Sequence, residues 1–326
     1  MAFPSPSLVP PSLSTYQMSF GGLTFAGQPG SGNYALQTIT WDMPSVASGD
    51  VQRAMDQGEF AGMDVLPGRD ITVVQVVTGG YAQSGAGVDT TAKAQAVDAA
   101  VQALGGVMYP AGTTEPFPLY IQLPSGVFAA MCKPRGHSCP FDINRVFAGG
   151  VIATSKWHAT DPRFYAAPSK QSPATGLPAP AGGGTFPATF NYGFGGGGTG
   201  GLVNVTNAGY FEMRPVLVIT GPCTNPVVSN LSISGAPWVG VNITLQAGDT
   251  LTIDMDFRSV IYVASGTTQG ASRQNALLAG STWWNLQASN GPNGIAGPNV
   301  IEFTTSDGTH VAATLTVQSA DAYLTL

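Results

Sequence analysis

Residues 241–255 read Val-Asn-Ile-Thr-Leu-Gln-Ala-Gly-Asp-Thr-Leu-Thr-Ile-Asp-Met. Val241, Ile243 and Leu245 alternate with Asn242 and Thr244, and Leu251, Ile253 and Met255 alternate with Thr252 and Asp254. A period of two belongs to a strand with one face buried and one face wet. Ala247-Gly248-Asp249 between the two runs predicts a hairpin turn. The signature returns downstream, where Val311, Ala313, Leu315 and Val317 alternate with Ala312, Thr314 and Thr316. Asp307-Gly308 just before that run is a strong hairpin signal. No helical pattern separates these runs, and strands spaced by ~8–12 residues predict a β-sandwich or jelly roll.

Working back from there, the first half is a mixture of strands and one helix. Tyr16–Phe20, Ala35–Trp41 and Ile71–Val77 are short runs rich in β-branched and aromatic residues, bounded by Gly and Pro. Leu119–Leu123, Val127–Cys132 and Val151–Trp157 repeat the pattern. Between Thr91 and Leu104, Ala94, Val97, Val101 and Leu104 fall on one helical face, and Gly105-Gly106 predicts the stop. The pattern dissolves into Pro, Ser, Ala and Gly between Ala166 and Gly184, which predicts a linker. The reading is therefore an N-terminal domain at 1–168, a linker at 169–182 and a C-terminal sandwich at 183–326. The tract Gly195–Gly201 lacks the Lys-Ser/Thr of a phosphate loop and reads as a hairpin tip or loop.

Composition narrows the function. The 326 residues hold 12 Lys+Arg and 18 Asp+Glu, 9% charged with a net charge of −6, where soluble domains average about 25% charged. That balance argues against specific nucleic-acid binding, which needs a basic patch. Few charges fit a subunit largely covered by neighbours, because interface centres are depleted in charge. With 43% hydrophobic residues the chain is not disordered. No apolar run approaches ~18 residues, so no membrane span is expected. Met-Ala-Phe-Pro-Ser-Pro has no basic segment, so a chain made in and kept in a cytoplasm is expected. Cys132, Cys139 and Cys223 are an odd number and read as reduced thiols.

Candidate chemistry is sparse. His137, His158 and His310 sit in no zinc-protease helix pattern, and no Gly-x-Ser-x-Gly elbow exists. Cys132, His137 and Cys139 are close in sequence, but only Cys223 is left as a fourth zinc ligand; the plainer reading is two small residues flanking a turn. Asp254 and Asp256, two apart on a strand, suit paired-carboxylate hydrolysis or Ca²⁺, against the plainer reading of two solvent-facing charges. Trp283, Trp284 and Tyr262 are candidate sugar platforms, although adjacent Trp283 and Trp284 must point to opposite faces of a strand. The assignment is no catalytic residue, no cofactor and no metal.

Three stretches in order resemble the distal tail proteins of siphoviruses, in the version found in actinobacteriophages. The first is Gly58-Glu59-Phe60 followed by Leu66-Pro67-Gly68-Arg69, within 55–69 and leading into the strand at Ile71. The second is Ala159-Thr160-Asp161-Pro162-Arg163-Phe164-Tyr165. The third runs from Val205-Thr206-Asn207-Ala208-Gly209 through Arg214–Pro222 and Thr224-Asn225-Pro226 to Leu245–Asp254 and Arg258. One departure is the extended Gln287–Pro298 insertion between Leu286 and Asn299, where the family has a short turn.

The resemblance implies a mainly β protein, with an N-terminal β-barrel or sandwich-like domain carrying one helix and a C-terminal galectin-like sandwich. It implies a structural minor tail protein of the virion, at the tail tip or baseplate and assembled in the host bacterial cytoplasm. It also implies a homohexameric ring around a genome channel. The implied partners are the major tail tube protein, the tail hub and tail-tip proteins and the tape measure protein. The alternative is a carbohydrate-binding adhesin that attaches to the host through the C-terminal sandwich.

Overall fold

The computed structural model describes residues 8–326 except 27–31, 53–58, 61, 63–64, 80–89, 110–115, 141, 148, 178–200, 291–293, 296 and 307–311. The chain forms two compact units, Leu8–Ala167 with Leu324–Leu326, and Pro168–Tyr323. The Asp307-Gly308 turn, His310 and most of the Gly195–Gly201 tract lie outside the described residues.

The first unit is built on the strands β1 (Met18–Phe20), β2 (Leu23–Phe25), β3 (Tyr34–Trp41), β4 (Arg69–Val77), β5 (Phe117–Leu123), β6 (Gly126–Ser138) and β7 (Val151–Ala159). They pair antiparallel in the order β2-β1-β5-β6-β7-β4-β3, and β8 (Phe164–Ala167) adds to β6. The two ends of that path meet. Ala26, directly after β2, donates its N–H to Tyr34 O at 2.7 Å and accepts from Leu36 N at 2.7 Å. The sheet thus closes into a barrel, as the resemblance implied, and closure removes the exposed edges that an open sheet must protect.

Strict alternation fills the barrel. Along β4, Arg69, Ile71, Val73, Gln75 and Val77 are buried; along β7, Val151, Ala153, Ser155, Trp157 and Ala159 are. Trp157 is fully buried and takes edge-on contacts from Phe20 at 5.5 Å and Phe25 at 6.4 Å. The polar interior residues find one another: Gln75 Nε2 donates to Ser155 Oγ at 3.2 Å, and His137 Nδ1 lies 3.4 Å from that hydroxyl.

The helix α1 (Thr90–Met108) does not stop at Gly105-Gly106. Its buried face, Val97, Ala100, Leu104 and Met108, continues to the second residue past the glycines. Burying Met108 outweighs the weak helix propensity of two glycines, which is ~1 kcal/mol each relative to alanine. A Cβ at either glycine meets nothing within 4 Å. Gly105→Ala and Gly106→Ala should therefore each raise stability by ~0.5–1 kcal/mol, read as a higher urea midpoint. Gly21 and Gly79 are different. A Cβ there would lie 2.5 Å from Val107 and 2.5 Å from the Ala96 backbone, so only glycine lets the helix seat. A one-turn helix, α2 (Ile143–Phe147), adds Val146 to the cluster of Val97 and Val151.

β6 corrects the reading of Cys132 to Cys139 as a turn: it runs unbroken through Pro134 to Ser138. A bulge between Pro134 and Gly136 absorbs Arg135. β5 pairs with β6 only as far as Cys132, so beyond it the described pairing is with β7 alone. A bulged strand with a single neighbour is where a sheet tolerates proline.

The second unit is a β-sandwich. One sheet runs through β16 (Thr314–Ser319), β10 (Val216–Thr220), β13 (Thr250–Asp254) and β14 (Ser259–Val263). The other runs through β9 (Leu202–Val205), β15 (Asn299–Thr304), β11 (Val227–Asn230) and β12 (Trp238–Gly240). Leu217, Ile219, Leu251, Ile253, Leu315 and Val317 are fully buried from the first, and Val228, Val239, Ile301 and Phe303 from the second.

Two sequence expectations change here. Lys170–Gln171 and Thr175–Gly176, inside the stretch expected as linker, both pair with β16. The hairpin expected at Ala247–Asp249 does not form. Thr244–Leu245 pairs with Cys223–Thr224, whereas β13 pairs with β10 and β14. The Asp249 carboxylate explains this. It accepts N–H bonds from Gln246 at 2.8 Å and Ser265 at 2.8 Å and the Tyr262 hydroxyl at 3.0 Å, which turns the chain from that separate two-stranded pair into the first sheet.

Candidate functional site

Between β3 and β4 the chain leaves the barrel and returns. Ala47 and Val65 exchange both backbone bonds at 2.9 and 3.0 Å, and farther out Val51–Gln52 pairs with Glu59–Phe60. This two-stranded ribbon is the arm. Gly62 crosses it so closely that a Cβ would lie 2.0 Å from Gly49 O. Gly62 N–H donates to Asp50 Oδ1 at 2.7 Å, which together with Ser48 holds the Asp50 carboxyl below its ordinary pKa.

The arm's root is locked by the first two resemblance stretches. Gly68 passes β7 with room for no side chain, since a Cβ would lie 2.4 Å from Ala159 O. Arg69 turns inward and is 2% exposed. Its guanidinium lies 4.4 Å from the Phe164 ring centroid, and Nη2 donates to Leu324 O at 2.5 Å. Trp41, at the other foot, meets Phe164 edge-on at 6.0 Å. Phe164 is thus wedged between the two feet. Burial pulls the Arg69 pKa down and the Asp161 carboxylate opposes this; a guanidinium keeps its proton regardless. Asp161 holds the second stretch in shape. It accepts from Arg163 N at 3.1 Å, from Arg163 Nη1 at 3.2 Å and from the Tyr165 hydroxyl.

The third stretch is also a knot. Asn207 is fully buried and uses its whole amide: Nδ2 donates to Phe211 O at 2.8 Å and Leu286 O at 3.4 Å, and Oδ1 accepts from Gly209 N and Ala322 N, both at 3.1 Å. A Cβ on Gly209 would lie 2.0 Å from Ala322 O. Asn299 pinches the base of the 287–298 insertion, accepting from Gln287 N at 2.9 Å and donating to Gln287 O at 3.0 Å.

The residues considered for chemistry take other positions. Among the described residues, no three His, Cys, Asp or Glu side chains gather to hold a metal ion. Cys132 is buried beside Arg69 and its thiol is pushed up to about 12, so it is protonated at neutral pH. Cys139 packs against the cluster of Val97, Val146 and Val151. Asp254 and Asp256 do not share a strand face. Asp254 is buried and accepts from Asp256 N at 2.8 Å and Phe257 N at 3.0 Å, closing the β13–β14 turn, while Asp256 pairs with Arg214 at 2.6 Å. Trp284 is buried, Trp283 is half-buried, and Tyr262 has the Arg273 guanidinium 5.4 Å from its ring centroid. The arm itself carries no sequence period, and its signal was the pair of strings Gly58-Glu59-Phe60 and Leu66-Pro67-Gly68-Arg69 on its returning half.

The hydrogen bonds to Asp249 hold its carboxyl below its ordinary pKa, with the Ser265 and Gln246 amides the main cause. A depressed acid contributes stability above its unfolded pKa, ~3.9, and loses it as pH falls through the folded value. Acid unfolding followed by tryptophan fluorescence should show this loss below about pH 4, and Asp249→Asn should flatten it.

No family model matches the chain, and no curated protein does. Solved structures do. The SPP1 Dit protein, described as a paradigm of the hub adsorption apparatus in phages that infect Gram-positive hosts, is similar over 95% of this chain and 99% of its own, at 13% identity and a TM-score of 0.58. A chain of the phage P2 baseplate in its Ca-activated conformation is similar over 93% and 97%, at 11% identity and a TM-score of 0.47. The chain thus has the fold of the SPP1 Dit protein, the fold that the resemblance of its sequence implied.

Proposed function

We infer that this chain is a structural, non-enzymatic subunit of a phage tail tip. It forms the distal tail ring, a homohexamer that joins the major tail tube protein to the hub and tail-tip proteins and leaves a channel for the genome. The observation that carries this reading is the end-to-end likeness to the SPP1 Dit protein, which takes in both units rather than one common domain. The motif residues support it, because Gly68, Arg69, Asp161, Phe164, Asn207 and Gly209 are all used in packing and turns. The domain assignment, 1–168 for the ring and 183–326 for a galectin-like sandwich projecting outward, belongs to the same proposal, as do the tape measure contact and an actinobacterial host. Of the aromatic residues of the adhesin alternative, Trp284 is buried, while Trp283 and Tyr262 are half-buried and remain its candidate platform.

Gold-labelled antibody against the chain should mark virions at the tail end away from the capsid. Label spread along the tube, or absent from virions, would overturn the proposal.

A further inference from the structure

The second sheet of the sandwich carries a row of four side chains on its outer face. Val203, Val228, Val239, Ile301 and Phe303 of strands β9, β11, β12 and β15 are buried in the core, so the residues that alternate with them point outward. Trp238 is in register with Ser229, Ser229 with Glu302, and Glu302 with Leu202, which sets the four side by side across the sheet. Trp238 and Glu302 are half-buried, and Leu202 is exposed. In the next row Val300 is in register with Asn204, which is exposed.

Trp238 is seated as a platform. A Cβ on Gly240 would lie 3.2 Å from its ring and one on Gly280 would lie 3.3 Å from it, so two glycines floor the indole. Its neighbour across the strands is a serine, too short to cover the ring. The Trp238 carbonyl accepts from Thr282 N at 2.8 Å and Thr282 Oγ1 at 3.3 Å, which fixes this edge of the sheet. Two strands away, ~10 Å across the sheet, stands Glu302. Its carboxylate accepts from Ser229 Oγ at 3.4 Å. A carboxylate has about four acceptor sites, so one long bond leaves most of them open.

These parts select a ligand. The face of an indole is negative and attracts the weakly positive C–H bonds on one side of a sugar ring. A carboxylate accepts from two adjacent hydroxyls at once. An apolar protein surface fits worse, because it would bury the Glu302 charge without donors, and interface centres are depleted in Glu. An acidic sugar would meet a like charge. We propose that the outer face of β9, β15, β11 and β12 binds an uncharged hexopyranose, stacked on Trp238 and held by Glu302, with Asn204 as a further polar group beside it. The site does not depend on the ring reading, and its platform is neither Trp283 nor Tyr262.

Saturation-transfer NMR on the full chain tests it. The neutral probes are methyl β-galactoside, methyl β-glucoside and N-acetylglucosamine; the acidic ones are methyl β-galacturonide and methyl β-glucuronide. At least one neutral probe should bind, with the strongest transfer to C–H protons on one side of its ring, and the acidic probes should bind at least ~10-fold more weakly. Glu302→Gln, which keeps the shape of the side chain, should weaken the neutral probe ~10-fold and narrow its lead over the acidic ones, because a charge-assisted hydrogen bond is lost. Trp238→Ala should abolish the transfer and Trp238→Phe should keep part of it, while Trp283→Ala and Tyr262→Ala should bind like the parent. No transfer to any neutral probe at ~10 mM, well above a ~1 mM dissociation constant, would overturn the proposal. So would binding that Glu302→Gln leaves unchanged, or binding lost in Trp283→Ala or Tyr262→Ala and kept in Trp238→Ala.

Discussion

Phe164→Ala should be among the most damaging single changes in the first unit, lowering its stability by ~3–5 kcal/mol, the range for truncating a buried aromatic. Phe164 is 1% exposed, and its ring touches Arg69 on one foot of the arm and Trp41 on the other. Truncation opens a cavity and also strips the Arg69 guanidinium of its aromatic partner. Two of its nitrogens, Nε and Nη1, already lack a hydrogen-bond partner among the described residues. Urea unfolding should show the loss, and Phe164→Leu, which keeps most of the volume, should recover much of it. A Phe164→Ala midpoint equal to the parent would mean that the root is not locked as described.

The second large effect belongs to the sandwich. Asn207→Ala removes the acceptor for Gly209 N and Ala322 N and the donor to Phe211 O. Each buried group left unsatisfied costs ~1–3 kcal/mol, so a total of at least ~3 kcal/mol is expected. Asn207→Asp keeps the acceptor and loses the donor, and should fall between the parent and alanine. Thermal unfolding of the three proteins orders them; an alanine variant as stable as the parent would contradict the knot.

What the sequence shows and what it hides follow from which interactions have a period. The strands β4, β7, β13 and β16 announce themselves because each buries alternate residues on one side. The helix is legible through Val97 and Leu104, but its end is not, since Met108 decides it by packing while the glycines point the other way. Gly248 marks a turn, yet the partners of the strands on each side are set by Asp249 reaching Tyr262 and Ser265, a contact without local pattern. Pro134 hides the second half of β6, because the bulge that tolerates it is a property of strand pairing. At the candidate site, Arg69, Phe164 and Asn207 were legible as parts of recurring strings, but not their roles. The contact of Arg69 with Phe164 spans 95 positions of sequence, and no spacing rule reaches that far.

The account stands most directly on the state of the full-length protein in solution. Sedimentation velocity across rising concentration, with electron micrographs of the heaviest species, measures it. A closed species of six chains of 33.4 kDa each, with rings that show a central channel, is the predicted result. A chain that sediments as a monomer at every concentration and yields no ring would contradict it.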